Sequence, residues 1–242
     1  MFRALRQRQP GQPIYRILWW HLLHLCCFVW FASVYRFRAW GIHNLPSEGP
    51  ILLVSNHQSF FDPIIVGLGS HRRQFCALAR SGLFHNPVLG WLIRSLNAIP
   101  VEQGTSDTRA MRGCVNALKQ GQALLIFPEG SRTTTGRVAR FEPGTMLLIK
   151  RARPTVVPVG PDGAFDVWPR GHTLPKPPGR LGVMYGEPIA PETLLGMDSD
   201  AALRLLEQRV ADLQQGVADR LDRQRPTTAL QPAATAPDPL LD

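Results

Sequence analysis

The feature that most constrains the fold is an alternation of short apolar runs with helix-like stretches between residues 51 and 185. The apolar runs have the length of buried strands and lie at residues 51–54, 75–78, 123–127, 155–159 and 181–185. The helix-like stretches lie between them, at residues 63–69, 87–96, 108–120 and 144–151. Such alternation predicts an α/β fold, with a mostly parallel or mixed sheet covered by helices.

Length and charge limit the number of domains and the kinds of partner. A chain of 242 residues can build one α/β core but not two substantial domains. Its 27 lysines and arginines exceed its 18 acidic residues, and the net charge of +9 suits an anionic membrane surface or anionic substrates. The sequence has no zinc-finger spacing or RNA-recognition signature, so we expect no nucleic-acid partner.

The first 40 residues have the composition of a membrane anchor. Residues 17–35 contain no acidic residue, lysine or arginine, and as a helix they would extend about 28 Å, close to the hydrocarbon thickness of a bilayer. Trp19, Trp20 and Trp30 lie within this run, Trp40 follows it, and arginines flank it on both sides. Because arginines occur on both sides, the positive-inside rule selects no orientation, and we favour an anchor lying in the interface over a span. Residues 1–40 are therefore predicted to form a basic, aromatic-rich anchoring segment that binds anionic lipids.

The rest of the chain is predicted to form one domain, residues 41–225, followed by a tail. Residues 162–178 are rich in glycine and proline, and we expect a long loop that connects strands, with a role at a site entrance as the alternative. Residues 199–225 predict an amphipathic helix whose apolar stripe comprises Leu203, Leu206, Val210, Leu213 and Val217. Residues 226–242 are rich in proline and alanine and are predicted to be disordered.

His57 and Asp62 are the first candidate catalytic pair. They follow the apolar run at residues 51–54 and are five positions apart, about 500 degrees of helical rotation, so one helical face cannot hold both. Asp62 precedes Pro63, which predicts a helix that Asp62 caps and a bend that brings the carboxylate back to the imidazole. A neutral imidazole aligned by a carboxylate is a general base for an alcohol. The alternative is that Asp62 only caps the helix while His57 fills a loop.

A second polar motif, Phe127-Pro128-Glu129-Gly130-Ser131-Arg132, follows the apolar run that begins at residue 123. Glu129 and Arg132 are therefore expected at the carboxyl end of a strand, where ligands bind in open α/β sheets. Both motifs would then lie at the same edge of the sheet.

Together these motifs resemble those of the glycerophospholipid acyltransferases, in particular the 1-acylglycerol-3-phosphate acyltransferases. Asn56-His57-Gln58-Ser59-Phe60-Phe61-Asp62 is similar to the NHxSxxD block of that family, and residues 127–132 are similar to its FPEGTR block. Residues 156–160 are similar to an apolar block that contains a proline, here Pro158. The resemblance extends from about residue 41 to residue 191, with the motifs in the family's order.

The resemblance implies one acyl transfer from a thioester of coenzyme A or acyl carrier protein to the free hydroxyl of a lyso-lipid, giving phosphatidic acid from 1-acylglycerol-3-phosphate. By the same resemblance, His57 deprotonates the hydroxyl and Asp62 supports it, with no acyl-enzyme intermediate. The residues implied to bind substrate are Asn56, Ser59, Glu129, Gly130, Ser131, Arg132 and Pro158. Arg132 would face phosphate, since a guanidinium makes bidentate contacts with it. No metal or organic cofactor is expected, and the active site would lie on the cytoplasmic face of a membrane.

Two positions depart from the family pattern. Gln103 stands where the resemblance leads us to expect an arginine, and Glu142 stands where many members have lysine. Each change removes a cation near the inferred phosphate pocket. The acceptor could therefore be another lysophospholipid or an amino-acid-containing lyso-lipid. A more remote alternative is a protein that binds lipid surfaces without catalysis.

Overall fold

The computed structural model describes residues 13–70, 73–102 and 107–221. Seven strands form one sheet in the order β1-β7-β6-β2-β5-β3-β4, in which only the β6–β7 pair is antiparallel. The strands are β1 (Arg38–Trp40), β2 (Ile51–Ser55), β3 (Phe75–Arg80), β4 (Ala98–Val101), β5 (Ala123–Ile126), β6 (Thr155–Asp162) and β7 (Gly182–Tyr185). The helices are α1 (Ile14–Tyr35), α2 (Asp62–Gly69), α3 (Pro87–Ser95), α4 (Thr108–Lys119), α5 (Gly144–Ala152), α6 (Ala164–Val167), α7 (Pro191–Leu195) and α8 (Ser199–Arg220). The predicted α/β class with a mixed sheet is confirmed.

Strand β2 lies at the centre of the sheet, and its sequence reflects that position. Every residue from Ile51 to Ser55 is buried, because helices cover both faces and neighbouring strands flank both sides. Leu52 and Val54 contribute to the core on the face covered by α4, α5 and α8. Ile51 and Leu53 contribute to the core on the opposite face, under α1 and α2. One apolar run therefore supplies both layers.

Helix α2 begins differently from the prediction. Asp62 is the first residue of the helix rather than its cap, Phe61 occupies the cap position, and no side chain caps the helix. The carboxylate of Asp62 instead accepts backbone N–H groups of Gln58 and Ser59, which precede the helix. The prediction that Asp62 is an N-cap was therefore wrong, because the bend from β2 turns the amides of residues 58 and 59 toward this carboxylate. By contrast, Asn86 caps α3 as expected of its type.

Helix α1 has 22 residues and is, by length and composition, long and apolar enough to cross a membrane. Only one face packs on the protein, through Ile17, Trp20, Phe31 and Tyr35. The large apolar side chains that stay exposed on α1 are Tyr15, Leu18, Leu22, Leu25, Phe28, Val29 and Trp30. A helix buried within a soluble core would not leave so many apolar side chains uncovered.

The other boundaries agree with the sequence in part. Strand β1 pairs with β7, so the sheet takes in the last residues of the segment 1–40. Helix α8 begins at residue 199, as predicted, and ends at Arg220. The predicted helix end at residue 225 was wrong, because Leu221 already occupies the C-cap position. The predicted disordered tail at residues 226–242 lies outside the described residues.

Candidate active site

The two motifs meet because β2 and β5 are parallel neighbours in register. Val54 lies opposite Ile126, so the chain leaves both strands at the same edge of the sheet. His57 is three residues beyond Val54, and Glu129 is three residues beyond Ile126. The backbone N–H of His57 donates to Oε1 of Glu129 at 3.4 Å, and the N–H of Thr133 donates to the carbonyl of His57 at 2.7 Å. The second motif thus holds the loop that carries the histidine.

His57 and Asp62 form a hydrogen-bonded pair. The distance between Nδ1 of His57 and Oδ2 of Asp62 is 2.7 Å. The Asp62 side chain is fully buried, whereas 21% of the His57 side chain is exposed. An ionised carboxylate only accepts hydrogen bonds, so it places the proton on Nδ1 and leaves Nε2 as the basic nitrogen. The ring of Phe127 stacks on the imidazole at 4.1 Å, which restricts rotation of the ring.

Glu129 is buried beside this pair. Burial raises the pKa of its carboxyl to about 8, hydrogen bonds from the backbones of Ala139 and His57 lower it, and the charge of Asp62 raises it. Its Oε2 atom is buried without a hydrogen-bond partner among the residues that the structure describes. At neutral pH the raised pKa favours the protonated form of this carboxyl group. By accepting the backbone N–H groups of His57 and Ala139, the carboxyl group connects the two loops that carry these residues.

The rest of the second motif forms a turn at the surface. Gly130 is exposed and has a φ of 71°, in the left-handed region that favours glycine. Ser131 and Arg132 follow and are partly exposed. The guanidinium carbon of Arg132 lies 3.7 Å above the ring centre of Phe60. Arg132 therefore contacts the first motif through an aromatic side chain that sequence reasoning did not single out.

Besides Glu129, three predicted substrate-binding residues are buried in the structure. Asn56 donates to Gln214 at 3.5 Å, and the hydroxyl of Ser59 donates to the carbonyl of Trp168 at 2.8 Å. Pro158 lies inside β6, opposite Val54 of β2. The contacts of Asn56 and Ser59 hold the loop around the site, and Pro158 packs within the sheet.

A buried amide network supports this loop and was missed by the sequence analysis. The carbonyl of Gly136 accepts hydrogen bonds from Nε2 of Gln58 at 3.1 Å and from Nε2 of Gln214 at 2.7 Å. The backbone N–H of Phe165 donates to Oε1 of Gln58 at 3.3 Å. Gln214 belongs to α8, four residues after Val210. A glutamine at helical spacing from an apolar stripe is the signal that could have identified it.

The two departures from the family pattern have different outcomes. Gln103 lies outside the described residues. Glu142 is exposed, its N–H donates to the carbonyl of Pro128 at 2.8 Å, and its Cγ atom would lie 3.9 Å from a Cβ atom built on Gly130. The side chain of Glu142 therefore lies next to the turn of the second motif. Among the residues that the structure describes, no group of three histidine, cysteine or acidic side chains could hold a metal ion.

The fold and the site at the sheet edge agree with a comparison to protein families. Residues 36–161 match the Acyltransferase family, a range that contains both motifs. The chain therefore belongs to the acyltransferase family. The predicted relationship to the 1-acylglycerol-3-phosphate acyltransferases is also confirmed, because many similar proteins carry that name.

Individual relatives show how far the similarity extends. The chloroplastic 1-acyl-sn-glycerol-3-phosphate acyltransferase LPAT1 of Arabidopsis thaliana is 31% identical over 158 residues, which are 64% of this chain and 44% of that protein. The lyso-ornithine lipid O-acyltransferase of Pseudomonas aeruginosa is 29% identical over 162 residues, 64% of this chain and 58% of the other. The chain thus spans about half the length of these relatives.

A solved structure supports the fold. The 1-acyl-sn-glycerophosphate acyltransferase PlsC of Thermotoga maritima superposes with a TM-score of 0.71, covering 93% of this chain and 90% of the other. Because the two sequences are only 23% identical, this likeness supports the architecture alone.

Proposed function

We propose that the protein transfers a fatty acyl group from a thioester of coenzyme A or acyl carrier protein to the free hydroxyl of 1-acylglycerol-3-phosphate, producing phosphatidic acid. The observation that carries this proposal is the 2.7 Å hydrogen bond between His57 and the buried Asp62 at the carboxyl edge of the sheet. The names of similar proteins add support, since many of them are called 1-acyl-sn-glycerol-3-phosphate acyltransferases.

In this mechanism Nε2 of His57 takes the proton of the acceptor hydroxyl as its oxygen attacks the thioester carbonyl. The resulting tetrahedral intermediate collapses with cleavage of the carbon–sulfur bond. The imidazolium then returns its proton to the leaving thiolate, so no acyl-enzyme forms and no other reactant is needed. Asp62 stabilises the imidazolium and keeps Nδ1 protonated. The stacked ring of Phe127 restrains the imidazole in the orientation that this transfer requires.

The second motif holds the acceptor in this proposal. Gly130, Ser131 and Arg132 occupy the surface turn beside His57, and Arg132 would contact the acceptor's phosphate. Glu129 combines its expected acceptor contact with a positioning role, because it accepts the backbone N–H of His57. Asn56 and Ser59 act from behind the loop, and the acyl-chain role inferred for Pro158 rests on the resemblance alone.

Helix α1 attaches the protein to a membrane in this proposal. Its exposed apolar side chains would enter the lipid, and arginines flanking the apolar run would contact anionic head groups at the cytoplasmic face. The indole of Trp19 donates to Ser95 of α3 at 3.0 Å, and the rings of Trp19 and Trp91 are 5.6 Å apart. Because these contacts attach α1 to the body of the protein, insertion would place the domain against the lipid surface.

A second acceptor class is favoured by Glu142. Its side chain lies beside the turn that would hold the acceptor, where a carboxylate would repel a phosphate and attract an ammonium group. An amino-acid-containing lyso-lipid provides such an ammonium group, and one relative is named for acylating lyso-ornithine lipid. The chemistry at His57 would be the same for both acceptors.

The deciding experiment offers purified protein one long-chain acyl thioester, as acyl-coenzyme A and as acyl carrier protein, with a panel of radiolabelled acceptors in detergent micelles. We expect phosphatidic acid from 1-acylglycerol-3-phosphate, and no transfer by His57→Ala despite an unchanged circular dichroism spectrum. Transfer only to lyso-ornithine lipid or to another lysophospholipid would overturn the phosphatidic acid assignment. Lipid binding without transfer to any acceptor would indicate a non-catalytic protein.

A further inference from the structure

The segment between β6 and β7 is much longer than their connection requires. These strands are antiparallel neighbours, which a turn of about two to five residues can join. Residues 163–181 instead extend to the His57 loop, where the carbonyl of Trp168 accepts the hydroxyl of Ser59 at 2.8 Å. The indole of Trp168 packs on Phe60 and Phe61, with ring centres 5.2 Å and 5.0 Å apart. The segment is therefore part of the active-site wall as well as a connection.

This attachment fixes the position of Arg170. The N–H of His172 donates to the carbonyl of Pro169 at 3.3 Å, closing a turn with Arg170 and Gly171 at its centre. Gly171 has a φ of 86°, as the third position of a type II turn requires. The indole N–H of Trp168 donates to the carbonyl of His172 at 2.8 Å and ties the turn to the aromatic cluster. Arg170 is exposed at the tip of this turn.

Arg132 reaches the same cluster from the other motif. Its guanidinium lies on the ring of Phe60, which also contacts Trp168, so Phe60 links the two arginine-bearing segments. The Nη1 atom of Arg132 is buried without an acceptor among the described residues. Burial lowers the pKa of Arg132, and the positive charge of Arg170 lowers it further. Two guanidinium groups carried by segments that meet at Phe60 favour an anion that contacts both.

We propose that Arg170 is a second cationic contact for the phosphomonoester of the lyso-lipid acceptor, acting together with Arg132. This inference rests on the proposed function and adds a specificity-determining residue to the same site. A phosphomonoester carries about 1.5 to 2 negative charges at pH 7 and three acceptor oxygens, enough for two guanidinium groups. Many members of the family have a lysine at the position of Glu142, and Arg170 would supply the positive charge that this chain lacks there. The contacts of Trp168 hold the backbone of the turn that carries this arginine against the His57 loop.

The test compares Arg170→Ala and Arg170→Lys with Arg209→Ala, a control that removes one exposed arginine from α8. The measurements are kcat and KM for 1-acylglycerol-3-phosphate, and the inhibition constant of glycerol 3-phosphate, which has the phosphate but no acyl chain. We expect Arg170→Ala to lower kcat/KM about 10- to 100-fold, mainly through KM, since this is the range for a hydrogen bond to a charged group. The inhibition constant should rise by a similar factor. Arg170→Lys should recover most of both losses, and Arg209→Ala should match the unmodified protein.

The outcomes separate this inference from the proposed function. If the unmodified protein acylates 1-acylglycerol-3-phosphate and Arg170→Ala does so equally well, the role of Arg170 is refuted while the proposed function stands. A fall in kcat with unchanged KM and unchanged inhibition by glycerol 3-phosphate would indicate a structural role and would also refute it. If the unmodified protein does not acylate this acceptor, the proposed function fails, and the phosphate contact fails with it.

Discussion

Replacing Asp62 with asparagine removes one charge and leaves most of the local geometry intact. The Oδ2 atom of Asp62 accepts three N–H groups, from the imidazole of His57 and from the backbones of Gln58 and Ser59. The amide oxygen introduced by Asp62→Asn can occupy the same position and keep all three contacts. The side chain is fully buried, so no compensating charge from solvent can take its place. The substitution therefore tests the charge more than the fold.

The structure sets the size of the expected effect. Two unit charges at the observed 2.7 Å separation attract each other by about 6 kcal/mol at an effective dielectric constant of 20. This attraction is present only when His57 carries a proton, which happens as the hydroxyl attacks. Its complete loss would slow the chemical step by about four powers of ten, and the remaining amide dipole retains part of it. We therefore expect kcat to fall about 10²- to 10⁴-fold with little change in KM.

The assay is thiol release from acyl-coenzyme A in the presence of 1-acylglycerol-3-phosphate, with thermal unfolding measured on the same samples. Asp212→Asn is the matched control, because Asp212 is exposed on α8 and accepts a hydrogen bond from another exposed side chain, Gln208. This control should retain full kcat. If Asp62→Asn keeps kcat within about threefold while remaining folded, the charge of Asp62 does not assist His57 and the reasoning is refuted.

Three further predictions concern stability, each measured by denaturant unfolding. Gln214→Leu removes a buried donor to the carbonyl of Gly136 and should lower the free energy of unfolding by about 2 kcal/mol. Gln208→Leu, on the exposed face of α8, should change it by less than about 0.5 kcal/mol. Equal effects of the two substitutions would contradict the network. Burial raises the pKa of Glu129 from 4.5 to about 8, so the folded protein binds this proton more tightly than the unfolded chain does. The free energy of unfolding should therefore fall as the pH rises from 4.5 to about 8. Glu129→Gln should flatten that decline, and an unchanged pH dependence would show that Glu129 does not cause it. Gly160→Ala would place a Cβ atom 2.4 Å from the backbone nitrogen of residue 214 and should destabilise the protein by about 1–3 kcal/mol. Gly82→Ala would place a Cβ atom with no other atom within 4 Å and should leave the stability nearly unchanged. Similar stability of the two variants would contradict the close approach of α8 to β6.

Much of the fold could be predicted because local sequence patterns indicated its strands and helices. Continuous apolar runs marked β2 and β5, and a sheet buried on both faces needs such strands. Strand β1 was missed, since Arg38–Trp40 is short and combines a charged residue with an aromatic one. The start of α2 was also misassigned at Asp62, because an aspartate before proline has the same sequence signature whether it caps a helix or turns its carboxylate toward a preceding loop.

The residues of the candidate site that lie in sequence motifs could be predicted. The residues that reach the site from distant parts of the chain could not. The spacing of His57 and Asp62 after a strand left their pairing as one of two alternatives, and the resemblance of the motif favoured the pairing that the structure shows. Gln214 lies more than 150 positions further along the chain, and its helical spacing from Val210 indicates the buried face of α8 without identifying the loop of residue 136 as its partner. Leu213 was placed on the buried stripe of α8, but it is partly exposed whereas Gln214 is buried. A glutamine can lie on the buried face because hydrogen bonds satisfy its amide, which apolar patterning alone does not reveal.

The central claim is that His57 draws the proton from the acceptor hydroxyl during acyl transfer. The most direct measurement is the single-turnover rate of phosphatidic acid formation by His57→Gln, a variant that keeps a hydrogen-bonding side chain of similar size without a basic nitrogen. The account predicts a rate lowered at least about 10³-fold, with lipid binding and thermal stability unchanged. Transfer by this variant at a rate within tenfold of the unmodified protein would contradict it.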